Sequence, residues 1–182
     1  ASPYYLFHPH APARAAQVAP DALIVAVLRD PVERAFSHWK ERRNHTEDLP
    51  FAEALAAEDA RTGGEEARML ADPTVVSPAH RHQTYVAQSH YAPMLERWFD
   101  AFGRDRVVVA VAEEFYADPQ VLCDEITDRV GLARRDLGDP EPFNAEPSAD
   151  MDPEVRSALR AQLSGDIEAV EQLLGRRLPW ER

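Results

Sequence analysis

An arginine, an aspartate and a proline follow one another at residues 29–31, directly after the apolar run LIVAVL, and a serine stands eight positions beyond the arginine. These residue types at this spacing could hold an anion. The guanidinium of Arg29 offers two parallel N–H donors that match two oxygens of a phosphate, a charge-assisted arrangement stronger than a neutral hydrogen bond. Arg29 would stand at the carboxyl end of a buried strand, where open α/β sheets form their ligand crevice. An unpaired charge there is costly, so it calls for an anion or a carboxylate. A helix opening at Pro31 would add free backbone N–H groups and the positive end of its dipole. Ser37 falls on the polar face of that helix, opposite Val32, Phe36 and Trp39, where its hydroxyl can donate to a further oxygen. An arginine paired with a neighbouring acid, beside a solvated serine, is the plainer reading of the same pattern.

The elements that must position these groups can be read from the apolar spacing. Residues 23–28 form a short Val- and Ile-bearing run after the turn signal Pro20-Asp21, and residues 107–111 form a second run after Gly103; both fit buried strands. Val32, Ala35, Phe36 and Trp39 fall at i, i+3, i+4 and i+7, one stripe of a helix. Asp30 is its expected N-cap, Pro31 its first residue and Glu33 its third, a capping-box arrangement. Tyr91, Met94, Leu95, Trp98, Phe99 and Phe102 predict a heavier helix ending near Gly103. Asp118-Pro119 opens another, carrying Val121, Leu122, Ile126 and Val130, with Cys123 on its core face and Gly131 as its stop. Asp152-Pro153 opens the last, with Leu159, Leu163, Val170 and Leu174 facing inward as far as Gly175. Residues 61–64 and the acidic, proline-rich residues 137–153 read as loops. Two strands separated by helices imply parallel pairing through a crossover. Two strands make an incomplete sheet, so the expected fold class is α/β, rich in helix, with one domain over residues 1–182.

Composition narrows the function further. Twenty basic against 32 acidic side chains give a net charge of -12, which repels nucleic acid and anionic membranes over most of the surface. A bound anion must then be caught locally. One cysteine excludes an internal disulfide and a cysteine-rich zinc site, and fits a reducing, cytoplasmic setting. No apolar run nears the ~20 residues that span a bilayer, so stable membrane insertion is not expected. His8 and His10, like His80 and His82, stand two apart, but neither pair has an obvious third ligand in sequence, and all four are expected at the surface. No metal is expected. Glu113 and Glu114 read as ordinary acids of a helix N-terminus.

At this point the residues carry a family resemblance. The stretch LIVAVLRDPVERAFSHW resembles the second cofactor motif of sulfotransferases that use 3'-phosphoadenosine 5'-phosphosulfate, the strand-loop-helix holding the nucleotide's 3'-phosphate. ASPYYLFHP before it, YVAQSHYAPMLERWFDAFGRDRVVVAVAEEFYADP after it and the ending DIEAVEQLLGRRLPW are similar to the same family in the same order. The resemblance implies a P-loop-NTPase-like parallel sheet with flanking helices, and transfer of a sulfuryl group from that nucleotide to a hydroxyl or amine without a metal. It implies that Arg29 and Ser37 contact the 3'-phosphate, with Asp30, Pro31 and Glu33 shaping the loop.

The family's first motif is a lysine- and glycine-bearing loop near the N-terminus that cradles the 5'-phosphosulfate. Here the first glycine is Gly63 and the only lysine is Lys40, inside the helix after Arg29. The expectation is therefore a carboxyl-terminal portion of a sulfotransferase domain, inactive alone, with no catalytic base assigned. Residues 137–153 depart from the basic lid of many relatives, which leaves Arg134 and Arg135 to cover the nucleotide or leaves the lid weak. The acid-leaning region from Glu47 to Gln83, including Glu58, Asp59, Arg61, Glu65, Glu66 and Arg68, argues for a neutral sugar, glycolipid or small-molecule acceptor. The alternatives are a non-catalytic helical interaction domain and a nucleotide kinase, the latter disfavoured by the missing glycine-rich loop.

Overall fold

The computed structural model describes residues 2–138 and 150–180. Two strands, β1 (Ile24–Leu28) and β2 (Val107–Val111), pair in parallel with Ile24 opposite Val107 and Leu28 opposite Val111. The crossover between them carries α3 (Pro31–Arg43), α4 (Phe51–Thr62), α5 (Glu65–Ala71), α6 (Pro78–His82) and α7 (Tyr91–Phe102). Before β1 lie α1 (Tyr4–Phe7) and α2 (Ala11–Val18); after β2 come α8 (Ala112–Ala117), α9 (Pro119–Arg129) and the long α10 (Pro153–Leu174).

The sheet is covered unevenly. Ala26, Leu28 and Val111 pack against Tyr91, Met94 and Leu95 of α7 and Ile167 and Val170 of α10, the largest apolar cluster. On the opposite face Val108 is buried, whereas Val25 and Val27 of β1 are 39% and 50% exposed. β1 pairs only with β2, so its outer edge and half of one face stay open among the described residues. A second cluster joins Val32, Ala35 and Phe36 of α3 to Phe51, Tyr85, Met151, Leu159 and Leu163, fixing α3 between α4 and α10.

Most expected elements are present, with instructive differences. α4 runs through Arg61 and Thr62, so the expected loop shrinks to Gly63-Gly64, where Gly64 takes a φ of 82° that a residue with a Cβ rarely adopts. The α9 stripe is narrower than its spacing promised: Leu122 is buried, but Val121 and Val130 are exposed, because α9 sits at the rim of a sheet too small to cover it. For the same reason Cys123 is not core; it is half-buried and lines a groove of about 570 Å³ with Ile126, Leu132 and Leu137. His80 is not at the surface: it is buried, stacked on Phe7 at 4.3 Å and hydrogen-bonded through Nδ1 to the Tyr4 hydroxyl. Most of residues 137–153 lies outside the described residues.

A buried polar layer pins the crossover. Glu47 accepts from the Tyr85 hydroxyl and pairs with Arg61, while Glu58 accepts the amides of Val86 and Ala87. Glu58 and Arg61, expected on an exposed acceptor surface, are thus spent on holding the loop before α7. His38 of α3 lies edge-on to Tyr85 at 5.1 Å. Burial, with the charges of Arg34, Arg42 and His82, pushes its imidazole down to about 3. The unfolded chain protonates His38 near 6.5 and the folded chain near 3, so this contribution is complete above pH 6.5 and drains away as pH falls toward 3. Urea titrations should show His38→Phe losing about 2 kcal/mol less stability than the parent chain between about pH 7 and 4.5.

Candidate functional site

The candidate site is the carboxyl end of β1. Asp30 caps α3 as its sequence demands: its Oδ1 accepts the amides of Val32 at 2.9 Å and Glu33 at 3.2 Å. The reciprocal half of the expected capping box does not form. Glu33 turns instead to Arg156 of α10, and the Asp30 amide donates to Glu113 Oε1 at 2.9 Å. Glu113 is therefore more than a helix-terminal acid: its other oxygen accepts from Trp180 Nε1 at 3.1 Å, while Glu114 pairs with Arg176.

The far side of the same peptide is held too. The Tyr91 hydroxyl donates to the Arg29 carbonyl at 2.9 Å from a ring that is 3% exposed. Burial is the main reason its phenol is pushed well above the usual range, so the O–H donor persists at any working pH. The start of α7 is fixed in turn by Asp166 of α10, which accepts the amides of Tyr91 and Ala92. Asp166 also holds the neighbouring His90 imidazole above its ordinary value. The second Asp30 oxygen, Oδ2, accepts from Arg160 Nη2 at 2.7 Å, a buried pair.

The cations at this rim divide cleanly. Arg156 and Arg160 are neutralised by Glu33 and Asp30. Arg34 is half-buried and donates to Ser89 Oγ and the Tyr85 carbonyl. Arg29 is exposed, and among the described residues its guanidinium has neither a carboxylate nor a hydrogen-bond partner. Ser37, two turns into α3 and half-buried, likewise keeps its hydroxyl without a hydrogen bond among the described residues. Arg134, one of two residues suggested as a substitute lid, is tied to Asp128 and Asp124; Arg135 lines the groove beside α9. No group of three or more His, Cys, Asp or Glu residues that could hold a metal occurs among the described residues.

The sequence pattern singled out Arg29, Asp30 and Ser37, which lie together on the strand-to-helix segment, but not the residues that hold the 29–30 peptide. In sequence Tyr91 reads as the first residue of a core stripe, within a stretch, YVAQSHY, that resembles a family segment near the cofactor. Glu113 carried a usable signal: extending the parallel register two residues past Leu28 and Val111 sets Asp30 beside Glu113.

A strand of α/β type ending in a fixed peptide, a free arginine and a capped helix is the arrangement of an anion-binding crevice. The known proteins to which the chain is similar are sulfotransferases. A sulfotransferase from Alicyclobacillus acidocaldarius superposes with a TM-score of 0.73 at 32% identity, over 96% of this chain and 63% of that one. The bifunctional heparan sulfate N-deacetylase/N-sulfotransferase 4 of Mus musculus is 25% identical over 96% of this chain and 18% of its own length. The human heparan sulfate glucosamine 3-O-sulfotransferase 3B1 is 28% identical over 73% of this chain and 30% of its own length. The chain thus spans less than a third of these curated relatives. No family model matches. By sequence and fold together, the chain is similar to sulfotransferases.

Proposed function

We propose that residues 1–182 are the carboxyl-terminal portion of a sulfotransferase domain and supply its grip on the 3'-phosphate of 3'-phosphoadenosine 5'-phosphosulfate. The observation that carries this reading is the guanidinium of Arg29, without a partner among the described residues, on a peptide fixed at both its carbonyl and its amide. Ser37 adds, on the same strand-to-helix segment, a hydroxyl without a hydrogen bond among the described residues. Bound there, the nucleotide would present a sulfuryl group to the hydroxyl or amine of an acceptor. Sulfuryl transfer needs in-line placement, a base for the acceptor proton and donors for charge on the transferring oxygens. Arg29 and Ser37 serve the first need, by holding the nucleotide at a phosphate remote from the sulfur so that binding energy positions the reacting end. No residue of this chain is assigned as the base, and the chain alone is read as inactive.

The acceptor is read as a neutral carbohydrate, a glycolipid or a small molecule. A net charge of -12 and arginines already engaged with acids support this over a highly sulfated polymer. No helix among the described residues is long and apolar enough to cross a membrane. With a single cysteine, a cytoplasmic setting is the reading we favour.

The test is calorimetric titration with 3'-phosphoadenosine 5'-phosphate and, separately, adenosine 5'-phosphate. The first should bind at least about tenfold more tightly, since a charge-assisted contact contributes roughly 1.5–3 kcal/mol. Ser37→Ala, which removes one neutral donor, should cost about threefold to tenfold for the first nucleotide and nothing for the second. Equal affinity for the two would remove the basis of the assignment.

A further inference from the structure

The peptide joining Arg29 to Asp30 is restrained in a way that capping α3 does not require. A helix N-cap needs the Asp30 side chain to accept the amides of the first turn, and Oδ1 does this alone. The Arg29 carbonyl and the Asp30 amide lie outside that duty. At the end of a strand both could be satisfied by water. Instead each is taken by a side chain from a different element, Tyr91 of α7 on one side and Glu113 of α8 on the other. Tyr91 does so from a buried ring, and Glu113 is itself held by the indole of Trp180.

A planar peptide clamped at both its C=O and its N–H cannot rotate. Fixing it sets the direction in which the Cα–Cβ bond of Arg29 leaves the chain, which leaves an exposed guanidinium, unpartnered among the described residues, with less conformational freedom to lose on meeting a ligand. We propose that Tyr91 and Glu113 are positioning residues for Arg29, acting through the 29–30 peptide to aim its guanidinium at the 3'-phosphate. The inference rests on the function proposed above and adds two residues to it. Neither touches the nucleotide.

The prediction is selective. Tyr91→Phe keeps the ring in the core and deletes one O–H; Glu113→Ala deletes the amide's acceptor. Each should lower affinity for 3'-phosphoadenosine 5'-phosphate by about fivefold to twentyfold while leaving that for adenosine 5'-phosphate within about twofold. Glu113→Gln, which retains one acceptor oxygen, should recover most of the loss. Because both residues act through Arg29, combining Tyr91→Phe with Arg29→Ala should be no worse than Arg29→Ala alone.

Measurements belong on the longest product of the reading frame that contains these 182 residues, with thermal unfolding of each variant recorded alongside. A general loosening of the fold would lower affinity for both nucleotides together and would overturn the inference. So would an additive double variant, or selectivity unchanged in Tyr91→Phe and Glu113→Ala while Arg29→Ala loses it. If Arg29→Ala itself keeps selectivity for the 3'-phosphate, the reading of the site falls and this inference falls with it.

Discussion

Replacing Arg29 with alanine should weaken binding of 3'-phosphoadenosine 5'-phosphate roughly 30- to 150-fold, the equivalent of about 2–3 kcal/mol. The same change should leave the thermal midpoint where it was. Both halves follow from one geometry. The side chain is exposed and has no partner among the described residues, so the folded chain loses no contact when it is cut back. The backbone that carries it is held by Tyr91 and Glu113, neither of which touches the guanidinium. Other surface arginines lie the other way round: Arg134, Arg176 and Arg129 each sit on an acid, and their loss would change stability slightly and binding not at all. Adenosine 5'-phosphate, titrated in parallel, should show no effect of the substitution. A fall in affinity for both nucleotides would mean that Arg29 serves the whole ligand or the fold, not one phosphate.

The neighbouring Asp30→Ala should behave in the opposite way, destabilising the chain by about 3–5 kcal/mol in urea titration. Two losses combine. The amides of Val32 and Glu33 lose their cap, at about 1 kcal/mol. The larger part comes from Arg160, whose Nη2 would be left in a buried place without its carboxylate, where its Nη1 already has no partner. Asp30→Asn should retain most of the capping and still cost much of the total, because the uncompensated charge remains. Adding Arg160→Met to Asp30→Asn removes that charge and should restore a large share of the lost stability. If Asp30→Asn and Asp30→Asn/Arg160→Met prove equally unstable, the ion pair is not what Asp30 contributes.

Part of this site was legible in the sequence because its information is local. The LIVAVL run, the Asp-Pro capping signal and the i, i+3, i+4 stripe of α3 each lie within about a dozen residues, and the element bounds follow them closely. Glu33 shows where local reasoning stops. Its position satisfies the capping-box rule, yet Arg156 from α10 competes for its carboxylate and wins, a contact 123 residues away that no window contains. His80 was placed at the surface for the same reason: nothing near it reveals that Phe7 and Tyr4 will enclose its ring. The uneven burial of α9 needed the extent of the sheet, which two recognisable strands could only hint at.

The clamp around residues 29–30 has a consequence for how the chain folds. Its contacts join positions separated by 62, 83 and 130 residues. No partly assembled intermediate possessing only the strand and its following helix can present the arginine in the finished orientation. On the function proposed above, nucleotide affinity would be a property of the global native state, and ligand binding should protect against complete unfolding rather than local fraying. Closing such distant pairs is entropically slow, so the clamp should form late as the chain folds.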